Sequence, residues 1–190
     1  MIDEKMFFDR EIYSEDYEYN FDFDKDLLKK ILKKKRTGKV LDVGCGEAGL
    51  SLKLAEHGFE VTCIDISPKA AKAVLSEASK RKVNIRFLTE DVESVDFTGK
   101  RFDVVLLMGV LHFLEGDVKK FVGLMKNITN KNGLHVVDVL LSGSNAAEDS
   151  EGYYFQPGEI KEFYREWNIV NSELYEEEKD KFEFLIAEKP

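Results

Sequence analysis

Three acids and a glycine-rich turn occupy places where successive strands of this chain should end, and their spacing points to a particular ligand chemistry. Residues 40–51 read Val-Leu-Asp-Val-Gly-Cys-Gly-Glu-Ala-Gly-Leu-Ser, an apolar run passing through Gly44, Cys45, Gly46 and Gly49 into an apolar helical pattern. The Gly-x-Gly-x-x-Gly spacing alone fits a turn that brings backbone against a pyrophosphate at a helix N-terminus. Asp42 opposes that reading. A carboxylate ~4–5 Å from a phosphate repels it by a few kcal/mol at an effective dielectric of about 20. A cationic ligand without phosphate inverts the sign, and S-adenosylmethionine (SAM), with an ammonium and a sulfonium, is such a ligand.

The following strand ends extend the set. Asp65 comes sixteen residues after Gly49, where an acid accepts ribose hydroxyls, and Ile66 beside it can lie against a purine face. In Glu90-Asp91-Val92, Asp91 is placed to accept from an adenine amino group. Met108, ahead of Gly109 and Val110, would border the methionyl part. His112 stands just beyond, as a general base or as a neutral ring lining the pocket. Each residue also has a plainer reading. A lone strand-end Asp often closes an Asx turn or caps a helix, and the glycines can serve close packing. Cys45 and Cys63 read as small core residues, and His57 and His135 as structural.

The elements needed to position these groups follow from periodicity. Leu27, Leu28, Ile31 and Leu32 form one helical face, ending at Lys33–Arg36 and Gly38. Strands are expected at 39–43, 60–65, 84–88, 102–108 and 133–141. Helices are expected at 48–57, 68–81 and 117–129, with Ser67 as N-cap and Pro68 at the first helical position. A helix at 157–166 and strands at 168–175 and 182–188 close the chain. Alternating strands and helices imply an α/β, doubly wound, mainly parallel seven-stranded sheet whose last two strands form an antiparallel hairpin. Residues 1–37 read as an N-terminal arm and helix, and 38–190 as one catalytic domain. The arm, with Tyr13 and Tyr17, and loop 142–156 are candidates for a lid.

Composition narrows the partners. The 190 residues carry a net charge of −9 and a pI near 5.0, so a nucleic acid is disfavoured as partner. The basic run Lys29–Arg36 is read as a solvated helix end. No apolar run of membrane-spanning length appears, and a cytoplasmic monomer or homodimer acting on a small molecule is expected. Two cysteines make neither a disulfide framework nor a zinc site, and no metal is expected.

Val40–Gly49, Val61–Ser67, Thr89–Val92 and Phe102–Leu114 together resemble the four motifs of the class I SAM-dependent methyltransferases. The resemblance implies a Rossmann-like fold, SAM as cofactor and S-adenosylhomocysteine (SAH) as product. It implies Asp42, Gly44, Cys45, Gly46 and Met108 around the methionyl moiety, Asp65 and Ile66 at the ribose and purine, and Asp91 and Val92 at the adenine. Phe155, Gly158-Glu159-Ile160, Phe163, Tyr164 and Trp167 further resemble a segment of the tellurite-resistance methyltransferases, which act on chalcogen oxyanions. The final hairpin departs from that family, being acidic over Tyr175–Asp180, so a thiol or other soft nucleophile stays open as acceptor. A SAM-binding regulator and an NAD-dependent oxidoreductase are the rival readings.

Overall fold

In the computed structural model the described residues are 18–22, 24–145 and 152–190. Tyr13, Tyr17 and the middle of loop 142–156 therefore lie outside them. The chain packs as two units, the first running to Asp96 and the second from Phe97 to Pro190.

The first unit opens with α1 (Lys25–Lys34). Asp24 caps it by accepting from the Asp26 and Leu27 amides, and Leu27, Leu28 and Ile31 form its buried face. Strand β1 (Lys39–Val43), α2 (Gly49–Glu56), β2 (Glu60–Asp65), α3 (Pro68–Arg81) and β3 (Ile85–Thr89) follow. β1 and β2 pair in parallel from Lys39↔Glu60 to Val43↔Ile64, and β2 pairs in parallel with β3. Ser67 caps α3 by accepting from the Ala70 amide at 3.1 Å, and Pro68 opens the helix as its fixed φ favours. Val40, Leu41, Val43, Leu52, Leu54, Ile64 and Val74 are fully buried in this unit. With strands covered on both faces, the acids at their ends are the polar exceptions.

The second unit contains β4 (Phe102–Met108), a 3₁₀ turn (Leu111–Phe113), α4 (Val118–Asn127), β5 (Thr129–Leu140), α5 (Glu159–Phe163), β6 (Asn168–Glu177) and β7 (Asp180–Glu188). β4 and β5 are parallel, whereas β7 runs antiparallel to both β5 and β6. The strand order is β3-β2-β1-β4-β5-β7-β6, the doubly wound, mainly parallel arrangement with the expected terminal hairpin.

Several boundaries differ from the sequence reading. β5 starts at Thr129 rather than 133, because Thr129 already pairs with Phe102 on β4, ahead of a register shift, and Asn132 and Gly133 then pair with Lys189 near the chain end. The helix expected over 157–166 is only Glu159–Phe163. It stops where Tyr164 turns inward and its hydroxyl bonds His135 Nδ1 at 2.6 Å. Thr129 Oγ1 donates to Met125 O and so accepts from His135 Nε2, which makes Nδ1 the acceptor for Tyr164. His135 is thus a core histidine, its pKa pushed down to about 3 chiefly by burial. Glu177 faces Asp180 across a two-residue hairpin turn in which Glu178 and Lys179 both have positive φ, 49° and 75°.

Candidate functional site

The end of β1 turns through Gly44 (φ 62°) and Gly46 (φ 50°), left-handed positions that a Cβ would strain. The next strand holds the turn's amides: Cys45 N donates to Ile64 O at 3.0 Å, and Gly46 N to Asp65 Oδ2 at 2.8 Å. The second oxygen of Asp65 accepts from Ser67 N at 2.9 Å. Asp65 therefore clamps the glycine turn to the start of α3.

Asp42 lies beneath this turn, almost fully buried, with Oδ2 accepting from Ser51 Oγ at 2.6 Å. Burial drives its carboxyl up to about 7; the Ser51 bond opposes this and the nearby Asp65 charge adds to it. An acid of that kind is destabilised while no cation is near, and a cation arriving beside it restores its charged form. Burial likewise pushes the Cys45 thiol well above its ordinary value, with Cys63 adding to the effect, so Cys45 is a poor nucleophile.

Gly49, third in the glycine pattern, serves a different purpose. A methyl group added there would stand 2.1 Å from the Asp22 carbonyl oxygen and 2.8 Å from that of Phe21. Residues 18–22 cross the start of α2, with Asn20 N donating to Glu47 Oε1 at 2.6 Å. Carbonyl oxygens and acids thus surround the helix start where a dinucleotide's diphosphate would need amide donors. Together with the Gly46 amide given to Asp65, this arrangement opposes a pyrophosphate.

Ile66 and Val92 are half-buried and Asp91 is exposed. Asp91 closes its own turn, accepting from Glu93 N at 2.9 Å and Ser94 Oγ at 3.0 Å. In the second unit, Met108 ends β4 with 36% of its surface exposed. His112 is half-buried against Phe113 and Tyr154, with ring centroids at 4.0 and 6.2 Å. Its Nδ1 has no hydrogen-bond partner among the described residues, and burial lowers its pKa to about 4. The ring is neutral at physiological pH.

Two features escaped the sequence reading. Ser51 was an unremarked helix residue, although its spacing of nine from Asp42 across a strand–turn–helix is local. Asp138 breaks the apolar run of β5 just as Asp42 breaks that of β1, and the same strand-end inspection would have found it.

The family model described as a methyltransferase domain matches residues 40–133, from β1 through α4 into β5. The chain is similar to methyltransferase domains over that stretch, and its fold is that of the class I methyltransferases. Among curated methyltransferases, the ubiquinone biosynthesis O-methyltransferase of Rickettsia bellii is 28% identical over 153 residues, covering 72% of this chain and 63% of the relative. That of Coxiella burnetii is 38% identical over 72 residues, covering 38% of this chain and 31% of the relative. The chain thus spans less than two thirds of the length of these relatives. Among solved methyltransferase folds, TehB from Haemophilus influenzae superposes with a TM-score of 0.76 at 22% identity, covering 98% of this chain and 67% of that one. The N-methyltransferase NodS from Bradyrhizobium japonicum, in complex with SAH, gives a TM-score of 0.71 at 20% identity, covering 87% and 84%. These likenesses establish the fold.

Proposed function

We propose that this chain transfers the methyl group of SAM to a small-molecule acceptor. The observation that carries the reading is the pair of acids on β1 and β2: Asp42 buried under the glycine turn, and Asp65 clamping it. SAM supplies an activated methyl group on a positively charged sulfur. The chain's own contribution is placement. Asp42, Gly44, Cys45 and Gly46 would border the methionyl end, and Asp65 would receive ribose hydroxyls. Ile66 and Val92 would cover the base, and Asp91 would accept from its amino group. Fixing a nucleophile in line with such a methyl group supplies much of the rate, with effective molarities reaching about 10⁵ M.

The acceptor classes to try are phenolic hydroxyls, from the names of the curated relatives, and chalcogen oxyanions and thiols, from the tellurite-resistance resemblance. His112, neutral and half-buried, suits lining a pocket better than taking a proton. Among the described residues no helix is long and apolar enough to cross a membrane; with the net charge of −9, this supports a cytoplasmic enzyme without a nucleic-acid partner. We read residues 1–37 as a cover for the domain 38–190, since residues 18–22 already cross the glycine turn.

The test is calorimetry with SAM, SAH and NAD in parallel, followed by transfer of a labelled methyl group to the three acceptor classes. SAM and SAH should bind and NAD should not. Preference for NAD would defeat the proposal. SAM binding without transfer to any acceptor would make the chain a SAM-responsive regulator.

A further inference from the structure

Ser51 is the third residue of α2 and has no exposed surface; Leu50, Leu52 and Leu54 beside it in sequence are buried too. Ala would fill such a place at least as well, being the better helix former with no polar group to satisfy. A serine inside a helix commonly bonds its hydroxyl to the carbonyl one turn back. Ser51 does otherwise. Its Oγ donates to Asp42 Oδ2 on β1 at 2.6 Å, within the range of about 2.5–2.7 Å for a hydroxyl bonded to an ionised carboxylate.

The other neighbours of Asp42 work against its charge. The side chain is almost wholly out of water, and its register partner on β2 is the buried Cys63. Burial is the largest influence raising this carboxyl, and Asp65 at the end of β2 adds a like charge. The thiols of Cys45 and Cys63 are the remaining titratable groups, and both stay protonated at neutral pH. Burial lifts that of Cys45. Contact with Cys45 lowers that of Cys63, but burial and the charges of Asp42 and Asp65 raise it more. Among the described groups acting on Asp42, Ser51 is the sole one that favours the ionised form. All five residues belong to the first unit, with the glycine turn itself.

We propose that Ser51 is a positioning residue that keeps Asp42 ionised and so sets the pH above which the glycine turn accepts a cation. The inference rests on the SAM reading of that turn and gives the same site its regulation. Ser51 acts through Asp42 rather than on the ligand. With the hydroxyl bonded to Oδ2, the carboxylate is held in place as an anion, and an arriving sulfonium or ammonium meets a negative charge. Without the hydroxyl, the carboxyl keeps its proton to higher pH and meets the cation as a neutral group. A serine that merely filled space under the turn would leave the titration of Asp42 where it is.

The experiment uses the full chain with ¹³C-labelled aspartate carboxyls, titrated without ligand from about pH 5.5 to 8.5, and calorimetry with SAM over the same range. The Asp42 resonance, assigned by its absence in Asp42→Asn, should titrate about one pH unit higher in Ser51→Ala. The rise of SAM affinity with pH should move up with it, leaving the variant roughly fivefold weaker at pH 7. Ser51→Cys, nearly the same size but a weak donor, should move both in the same direction, and Ser51→Thr, which keeps a hydroxyl, should bring both back. An Asp42 midpoint unmoved in Ser51→Ala and Ser51→Cys would overturn the assignment. A moved midpoint that SAM affinity does not follow would overturn it as well. Failure of the parent chain to bind SAM at any pH would instead defeat the underlying methyltransferase reading, and it is seen apart from the carboxyl titration.

Discussion

At the scale of single residues, Asp65 and Asp42 make opposite demands on the folded chain. Asp65 is satisfied without ligand, its oxygens receiving the Gly46 and Ser67 amides. Replacing it with Ala should weaken SAM binding by about 1–3 kcal/mol through lost charge-assisted hydrogen bonds; calorimetry showing unchanged affinity would remove it from the site. Asp42 is strained by burial. Its folded pKa, about 7 against 3.8 for the exposed acid, means the folded protein holds this proton more tightly than the unfolded chain. Its contribution to stability is therefore greatest below 3.8 and is lost as pH rises through about 7. Without ligand, Asp42→Asn should match or exceed the parent in stability above pH 7, as read by urea denaturation. SAM affinity of the parent should increase from pH 6 to 8, because the cation selects the ionised acid. The substitution should flatten that dependence and weaken binding at pH 8.

At the scale of elements, the glycine turn divides its labour. Gly44 and Gly46 are required by backbone angle and Gly49 by proximity, a distinction that identical letters conceal. Gly49→Ala places a methyl group against the Asp22 carbonyl, so the crossing segment must lift. A cost of about 1–3 kcal/mol is expected from overpacking, although Ala is the better helix former; chemical denaturation measures it. Local signals marked the elements well where the cause is local. Ser67-Pro68 marked the start of α3, and the run 102–108, apolar except for Asp103, marked β4. They failed where the cause is distant. The early start of β5 depends on Phe102 across the sheet, and the short α5 on a hydroxyl that reaches His135 from 29 residues away. Asp65 and Asp42 were readable because strand ends are a positional rule, while the Tyr175 bond to Asp138 joins residues 37 apart and leaves no local trace.

At the scale of the whole molecule, a net charge of −9 should draw in a ligand of net positive charge. Raising ionic strength from about 0.01 to 0.15 M shortens the screening length from about 30 to 8 Å. The association rate of SAM should fall across that range, and that of SAH, which lacks the sulfonium, much less; stopped-flow binding checks both. The hairpin turn at Glu178-Lys179 holds a different opportunity. Two residues with full side chains adopt the left-handed angles that Asn-Gly takes up with ease in a tight reversal. Writing Asn-Gly there should release stored conformational cost of roughly 1–2 kcal/mol. The result would be a hardier scaffold for engineering, with a melting temperature higher by a few degrees and cofactor affinity unaltered.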